Sequence, residues 1–328
     1  MATAGRIVVE RTGGPEVLQW QTGELPEPGP SEVLVRQTSV GLNFIDIYMR
    51  SGLYPMPLPF TPGVEGAGVV EAVGNAVMDF RAGDRVAYAA TSPVGSYATR
   101  RIVPAEILSP LPDSISDEVA AAVMLKGCTV EYLVQRTYPV KAGDRVLWHA
   151  AAGGVGLIAC QWLRSLGAFL IGTVGSQEKI GLAREAGCNE VFNYKTEDVA
   201  SRVREYTDGR GVDVVFDSVG RDTFEISLNS LRPRGMLVSF GNASGPVPPF
   251  APLVLSQKGS LFFTRAGFKD YYSNKEERLS GTRAVFDRLE QGTIKVAIHQ
   301  RFSLKDTALA HASLESRQTT GATVLYPE

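Results

Sequence analysis

The 328-residue sequence predicts an α/β protein, a doubly wound parallel sheet joined to a mostly-β region. Three observations carry that reading. Short apolar strands alternate with amphipathic helices from about residue 126 to 264; a glycine-rich turn opens that run; and a proline-punctuated, β-like texture precedes it.

Taken in order, residues 6–9, 32–37, 68–73 and 85–88 read as short strands. Pro26, Pro28, Pro30, Pro55, Pro57, Pro59 and Pro62 interrupt the segments between them. Proline cannot donate to a strand ladder, so this region reads as β with irregular loops. Val146 to Trp148 is a buried strand, and a helical pattern begins at Val155. Between them Ala151, Gly153 and Gly156 hold the three places of a dinucleotide fingerprint, with alanine where the strict motif has its first glycine. At such a turn the backbone approaches a pyrophosphate, whose charge meets the helix N-terminus.

The helix at 155–166 carries Leu157, Ile158, Trp162 and Leu166 at helical spacing, and Gly167 closes it. Strands follow at 169–174, 190–194, 212–217, 236–240 and 260–264, with helices at 178–186, 197–206 and 222–231. Connections of a few residues between alternating elements imply a parallel sheet covered on both faces. The tail reads as helices at 279–291 and 304–314 and a strand at 322–326, too little for a separate domain. The expected organisation is a catalytic domain at 1–125, a nucleotide domain at 126–264, and a return segment at 265–328 that completes the first.

Composition is that of an ordinary globular protein, with 44% hydrophobic and 21% charged residues. Lys and Arg number 33 against 35 Asp and Glu, so neither nucleic acid nor an anionic membrane is expected as a partner. No signal-peptide core or membrane-length apolar stretch is present, and the expectation is a cytoplasmic protein. Cys128, Cys160 and Cys188 are odd in number, widely spaced, and read as small buried hydrophobes free of disulfides.

An NAD site places a carboxylate at the end of the second strand. Here that strand ends Gly172-Thr173-Val174-Gly175-Ser176, without an acid. Lys179 follows one turn into the next helix, and Tyr194 closes the third strand. Ser176, Lys179 and Tyr194 supply the donors and positive charge that a 2′-phosphate needs, so NADPH is expected over NADH. The alternative makes Lys179 a solvated lysine and Tyr194 a packing residue.

With these motifs in view, the chain resembles the zinc-free quinone oxidoreductases, the ζ-crystallin-like branch of the medium-chain dehydrogenases, along essentially its full length. The likeness rests on Asn43-Phe44-Ile45-Asp46, Pro62-Gly63-Val64-Glu65-Gly66-Ala67-Gly68 and Ala82-Gly83-Asp84-Arg85-Val86. It continues in Gly143-Asp144, Leu147, Ala151-Ala152-Gly153-Gly154, Gly156, Gln161 and Arg164, then in Phe216-Asp217-Ser218-Val219-Gly220 and Ser239-Phe240-Gly241-Asn242. The resemblance implies a GroES-like β domain wrapped around a Rossmann domain, with the active site in the cleft between them.

Catalytic zinc in the alcohol dehydrogenases of this superfamily needs cysteine or imidazole ligands. Asn43 and Val64 stand at two of those places, and no histidine pairs with a cysteine at ligand spacing. No metal is therefore expected, and without a Lewis acid the reduction of an electrophilic acceptor is favoured over alcohol oxidation.

Further roles are those the resemblance implies. Asn43, Asp46 and Tyr48 lie beside the nicotinamide, where Asn43 and Tyr48 orient the carboxamide or bond the acceptor; Asp46 alternatively caps a helix at Ile47. Tyr54 contacts an aromatic substrate or packs its loop. Thr129, at the start of the helix entering the nucleotide domain, meets the nicotinamide face, and Tyr132 joins it or belongs to the core. Gly153, Gly154 and Val155 cradle the pyrophosphate, and Gly172, Thr173, Val174, Gly175 and Ser176 the adenosine ribose. Ser218, Phe240, Gly241 and Asn242 end successive strands on the ligand side. Arg317 reaches back to the cofactor or makes a surface ion pair. Glu65 serves structure, and Lys126 is a charged neighbour without an acid role.

The function expected is NADPH-dependent reduction of a small quinone. A reductase of α,β-unsaturated carbonyls is the rival within the class. A non-catalytic NADPH-binding structural or RNA-binding protein is the rival outside it. The apolar segment Leu261-Phe262-Phe263 falls at the sheet edge in this strand order, so a homodimer joined through it is expected.

Overall fold

The computed structural model describes residues 2–327. Its first elements are β1 (Ala2–Val9), β2 (Leu18–Leu25), β3 (Glu32–Leu42), α1 (Phe44–Arg50), β4 (Glu65–Val73), β5 (Arg85–Ala89), β6 (Arg100–Pro104), β7 (Ser109–Pro110) and α2 (Asp117–Tyr132). The alternating part comprises β8 (Arg145–Trp148), α3 (Gly154–Ser165), β9 (Phe169–Val174), α4 (Ile180–Ala186), β10 (Glu190–Asn193), α5 (Val199–Glu205), β11 (Val212–Asp217), α6 (Phe224–Ser230), β12 (Leu231–Ser239), α7 (Leu253–Gln257) and β13 (Phe262–Arg265). Then come α8 (Phe268–Tyr271), α9 (Lys275–Glu290), β14 (Ile298–Ser303), α10 (Thr307–Glu315) and β15 (Ala322–Tyr326).

The chain forms two compact units. One runs to Cys128 and takes in Tyr272–Gln291 and the chain from Val296; the other is Thr129–Tyr271 with Gly292–Lys295.

In the second unit the strand order is β10-β9-β8-β11-β12-β13, and every neighbouring pair is parallel. All residues of β11 are buried, as helices on both faces require. Leu147, Ile171, Val215 and Leu237 from four strands share one core with Val203 and Leu228 from the covering helices. The order reverses between β8 and β11, and ligands bind such sheets beyond the carboxyl ends of the strands at that reversal.

The first unit holds a sheet ordered β14-β15-β3-β4-β5-β7, with β6 also on β3, and the β1–β2 hairpin beside it. All its pairs are antiparallel except β14–β15. One core gathers Ile7, Val9, Leu42, Tyr97, Leu304 and Leu325. Another gathers Val33, Val35, Val86, Tyr88 and Val103.

Two expectations about elements are corrected. Thr129 does not start a helix; it lies in the last turn of α2, which begins at Asp117 and runs on into a π-helical turn at Leu133–Thr137. Within that helix Gly127 makes room for Val285, whose Cγ1 lies 2.8 Å from where a Cβ would stand. The helix expected at 222–231 stops at Ser230 because Leu231 already pairs with Val212, and a register shift then carries β12 on to Met236.

Candidate cofactor and active site

In the nucleotide unit the chain leaves β8 through Ala150, whose φ of 56° is left-handed, and enters α3 at Gly153. A Cβ on Gly156 would lie 2.3 Å from the Ala150 carbonyl oxygen and 2.6 Å from that of Ala151. Only glycine lets the helix seat on the turn. Alanine is accommodated at position 151 because Gly172 faces it, where a Cβ would come within 2.9 Å of the Ala151 methyl. Gly153, the N-cap residue, makes no side-chain cap bond. The first amides of α3, those of Gly154 and Val155 among them, therefore face outward at a helix N-terminus suited to an anion.

At the end of β9 the expected ribose residues divide. Gly172 is a packing glycine, and the Thr173 hydroxyl is bound to His149 Nδ1 at 2.7 Å, so only its backbone is left for a ligand. Val174 is buried. Gly175 sits under two side chains, its Cβ position 3.4 Å from Tyr194 Oη and 3.7 Å from Lys195 Cε. The Ser176 hydroxyl bonds Glu178, holding that carboxyl below its usual range. Partial burial lowers the Lys179 ammonium pKa, the nearby Lys195 lowers it further, and Glu178 opposes both. Tyr194 and Lys195 thus lie over Gly175, and Lys179 is within electrostatic reach of Lys195. The sequence reading missed Lys195, although a second lysine directly after Tyr194 was a usable signal.

Ser218 and Phe240-Gly241-Asn242 directly follow β11 and β12. A Cβ on Gly241 would lie 2.4 Å from the Ser218 carbonyl oxygen, so the two segments touch backbone to backbone. The Phe240 ring packs 5.5 Å from Trp148. Arg265 Nη1 donates to Ser239 Oγ and to the Gly241 carbonyl, each at 2.9 Å. Thr129 bonds the Tyr132 phenol, which burial pushes up in pKa, and Tyr132 stacks on Tyr271 with ring centroids 4.6 Å apart. Arg265 and Tyr271 were not foreseen; Arg265 ends β13 and Tyr271 ends α8 just after it, and only the strand order shows what lies beside them.

In the β-rich unit Asn43 is the N-cap of α1, and Asp46 Oδ2 accepts the Asn43 amide N–H at 2.9 Å. The capping expectation for Asp46 is corrected in its position: it reaches back from the third helical place instead of capping at Ile47. Asn43 Nδ2 donates to Glu65 Oε1 at 2.8 Å. Glu65, fully buried, also receives Lys126 Nζ at 2.5 Å and the Leu125 amide at 2.6 Å. Gly41 makes this possible, since its Cβ would stand 2.1 Å from Glu65 Oε1. An ion pair of this depth is strongly destabilising to break, because the survivor is a bare buried charge.

A second buried chain ends on Asp46. Arg50 donates to His311 Nδ1 at 3.2 Å and to Glu315 at 2.6 Å. Arginine has no acceptor, so His311 carries its proton on Nε2, facing Tyr97 Oη at 3.1 Å, and Tyr97 donates to Asp46 Oδ2 at 3.0 Å. Burial, reinforced by Arg50, lowers the His311 pKa to about 3 and keeps it neutral. Burial is also the main cause that raises Asp46 to about 7. Arg317, with φ of 57°, follows Glu315 by two residues, so the Arg50–Glu315 pair ties its segment to α1. Tyr48 and Tyr54 meet edge to face at 5.2 Å. The structure thus groups Asn43, Asp46, Tyr48 and Tyr54 on and around α1.

Zinc chemistry finds poor donors here. Val64 offers no ligand atom, and Glu65 Oε1 is already occupied by an ammonium. Among the described residues no group of three His, Cys, Asp or Glu is placed to hold a metal ion.

A doubly wound unit with a helix N-terminus suited to an anion, carried with a β unit that bears a buried polar cluster, has the architecture of a dinucleotide-dependent oxidoreductase. The alcohol dehydrogenase GroES-like domain matches residues 29–113 and the zinc-binding dehydrogenase family residues 154–278. A quinone oxidoreductase of Pseudomonas aeruginosa is 53% identical over 99% of this chain and 100% of its own. A 2-haloacrylate reductase of a Burkholderia species is 44% identical, over 98% of each. The crystal structure of Escherichia coli quinone oxidoreductase complexed with NADPH superposes with a TM-score of 0.97 at 48% identity, covering 99% of this chain and 100% of that one. The chain belongs to the quinone oxidoreductase family of the medium-chain dehydrogenase/reductase superfamily.

Proposed function

We propose that this protein reduces small quinones with NADPH and without a catalytic metal. The observation that carries the reading is the uncapped N-terminus of α3, with Lys179 and Lys195 gathered at the end of β9, in a chain matching the Escherichia coli enzyme–NADPH complex along its whole length. NADPH bound there supplies a hydride from its nicotinamide. The α3 amides at Gly154 and Val155 hold the pyrophosphate, and Tyr194, Lys179 and Ser176 take the 2′-phosphate. Ser218, Gly241 and Asn242 present backbone and amide groups beyond the strand ends. Glu65 and Lys126 fix the Asn43 amide so that it orients rather than reacts, and Tyr48 and Tyr54 offer aromatic faces to a planar acceptor. Positioning supplies the rate, and the proton comes from water.

The relative named for 2-haloacrylate favours a second reading, reduction of an activated carbon–carbon double bond in the same site. A panel of quinones and enones with NADPH oxidation followed separates the two. Turnover of quinones is expected; turnover of enones alone would overturn the first reading, and stoichiometric zinc in the active protein would overturn the metal-free part. Among the described residues no helix is long and apolar enough to cross a membrane. We assign the protein to the cytoplasm, where free thiols persist, and to a homodimer joined at β13.

A further inference from the structure

The nucleotide unit holds two thiols that the proposed reaction leaves idle. Cys160 lies on α3, the helix that starts at the anion-binding turn, and Cys188 directly follows Gly187 at the end of α4. Their sulfurs are 3.3 Å apart, and the two side chains are 0% and 6% exposed. The Cys160 thiol also points at the Ala151 carbonyl oxygen, 3.8 Å away. One proton arrangement satisfies all three atoms: Cys188 S–H toward Cys160 Sγ, and Cys160 S–H toward Ala151.

We propose that Cys160 and Cys188 form a peroxide-oxidisable dithiol whose closure to a disulfide weakens the cofactor turn. A disulfide needs about 2.05 Å between sulfurs, so the pair has only about 1.2 Å to close. Hydrogen peroxide is small enough to reach Cys188, the more exposed of the two. It converts the Cys188 thiol to a sulfenic acid and releases water. Cys160 sulfur then displaces the hydroxyl, which leaves with the Cys160 proton as a second water. Two sulfurs have together lost two electrons, and peroxide has gained them. The hydrogen bond from Cys188, with burial, holds the resting Cys160 thiol in its protonated form, so the first oxidation falls on Cys188, and loss of that hydrogen bond then frees Cys160 to react.

The consequence follows from what the sulfurs touch. A disulfide has no S–H, so the Ala151 carbonyl, at the first place of the turn, loses its donor. Cys188 Sγ also lies 2.7 Å from the Cβ position of Gly172, so its displacement acts on the end of β9. Both changes fall under the groups assigned to NADPH, and the effect on affinity rests on that assignment.

The test treats the purified protein with hydrogen peroxide, counts thiols after denaturation, records the intact mass and titrates NADPH. The thiol count should fall from three to one with loss of two hydrogens and no intermolecular link. The NADPH Kd should rise about fivefold or more and recover on reduction. Cys188→Ser, at a nearly buried site where a hydroxyl keeps the hydrogen bond, should prevent the loss, and so should Cys160→Ser. Cys128 lies in the other unit, its sulfur facing Thr282 Oγ1 at 4.0 Å, and Cys128→Ser should leave the pair's closure intact. An unchanged thiol count, addition of oxygen without loss of hydrogens, closure in either single variant of the pair, or a disulfide with unaltered Kd would overturn the proposal. Failure of the reduced protein to bind NADPH would instead refute the cofactor reading, with the thiol count still deciding whether the disulfide forms.

Discussion

Asp46 carries an energetic cost at neutral pH. It has no exposed surface, and while Oδ2 accepts two hydrogen bonds, Oδ1 has no partner among the described residues. Burial raises its pKa from 3.8 to about 7, so between those values the folded chain binds a proton that the unfolded chain releases. The stability it contributes is therefore present below pH 4 and is lost as pH rises toward 7, by up to about 4 kcal/mol across the window. Asp46→Asn keeps an acceptor for Asn43 and Tyr97 and should flatten the denaturation profile between pH 4 and 8; an unchanged slope would place the titration elsewhere. Lys179 poses a different question. Its removal should weaken NADPH by on the order of 1.5–3 kcal/mol and leave NADH nearly unchanged. Equal losses for both cofactors in a binding titration would deny it any reading of the phosphate.

Among the elements, α3 tolerates little added bulk at its first turn. Gly156→Ala would press a methyl against two carbonyl oxygens of the turn and should cost about 1–3 kcal/mol, together with a raised NADPH KM. Unchanged melting and KM would show that the turn can move aside. Elements of this kind were legible in the sequence: the strands at 169–174, 212–217 and 322–326 appear with those bounds because buried, β-branched runs bounded by glycine or acid leave little choice. β2 escaped because half of its residues are polar, Leu18 alone among them is buried, and its ladder partner is β1. The start of α2 escaped because its apolar residues are small and surround the helix. For the site, the glycine turn was readable locally. The Glu65–Lys126 pair and the Arg50–His311–Tyr97 chain join residues 61 to 261 positions apart, and no local pattern announces a partner at that distance.

For the molecule as a whole, β13 ends the parallel sheet, and Phe262 on it is 57% exposed. An apolar edge of this sort invites a second copy. Light scattering at micromolar concentration should return a dimer mass, and Phe262→Lys should return a monomer that still binds NADPH; a monomeric wild type would reject this assembly. The place of β15 has a different consequence, in the order of events during synthesis. This strand is last along the chain yet lies inside its sheet, between β14 and β3, so the β-rich unit waits for its final strand. Nearly all of the nucleotide unit, from Thr129 to Tyr271, leaves the ribosome before it and can gain structure first. Pulsed hydrogen exchange on refolding or stalled chains should find β8 and β11 protected while β3 still exchanges. A nascent chain released before Ala322 would then carry a folded half and an open sheet, the form on which proteases and chaperones act.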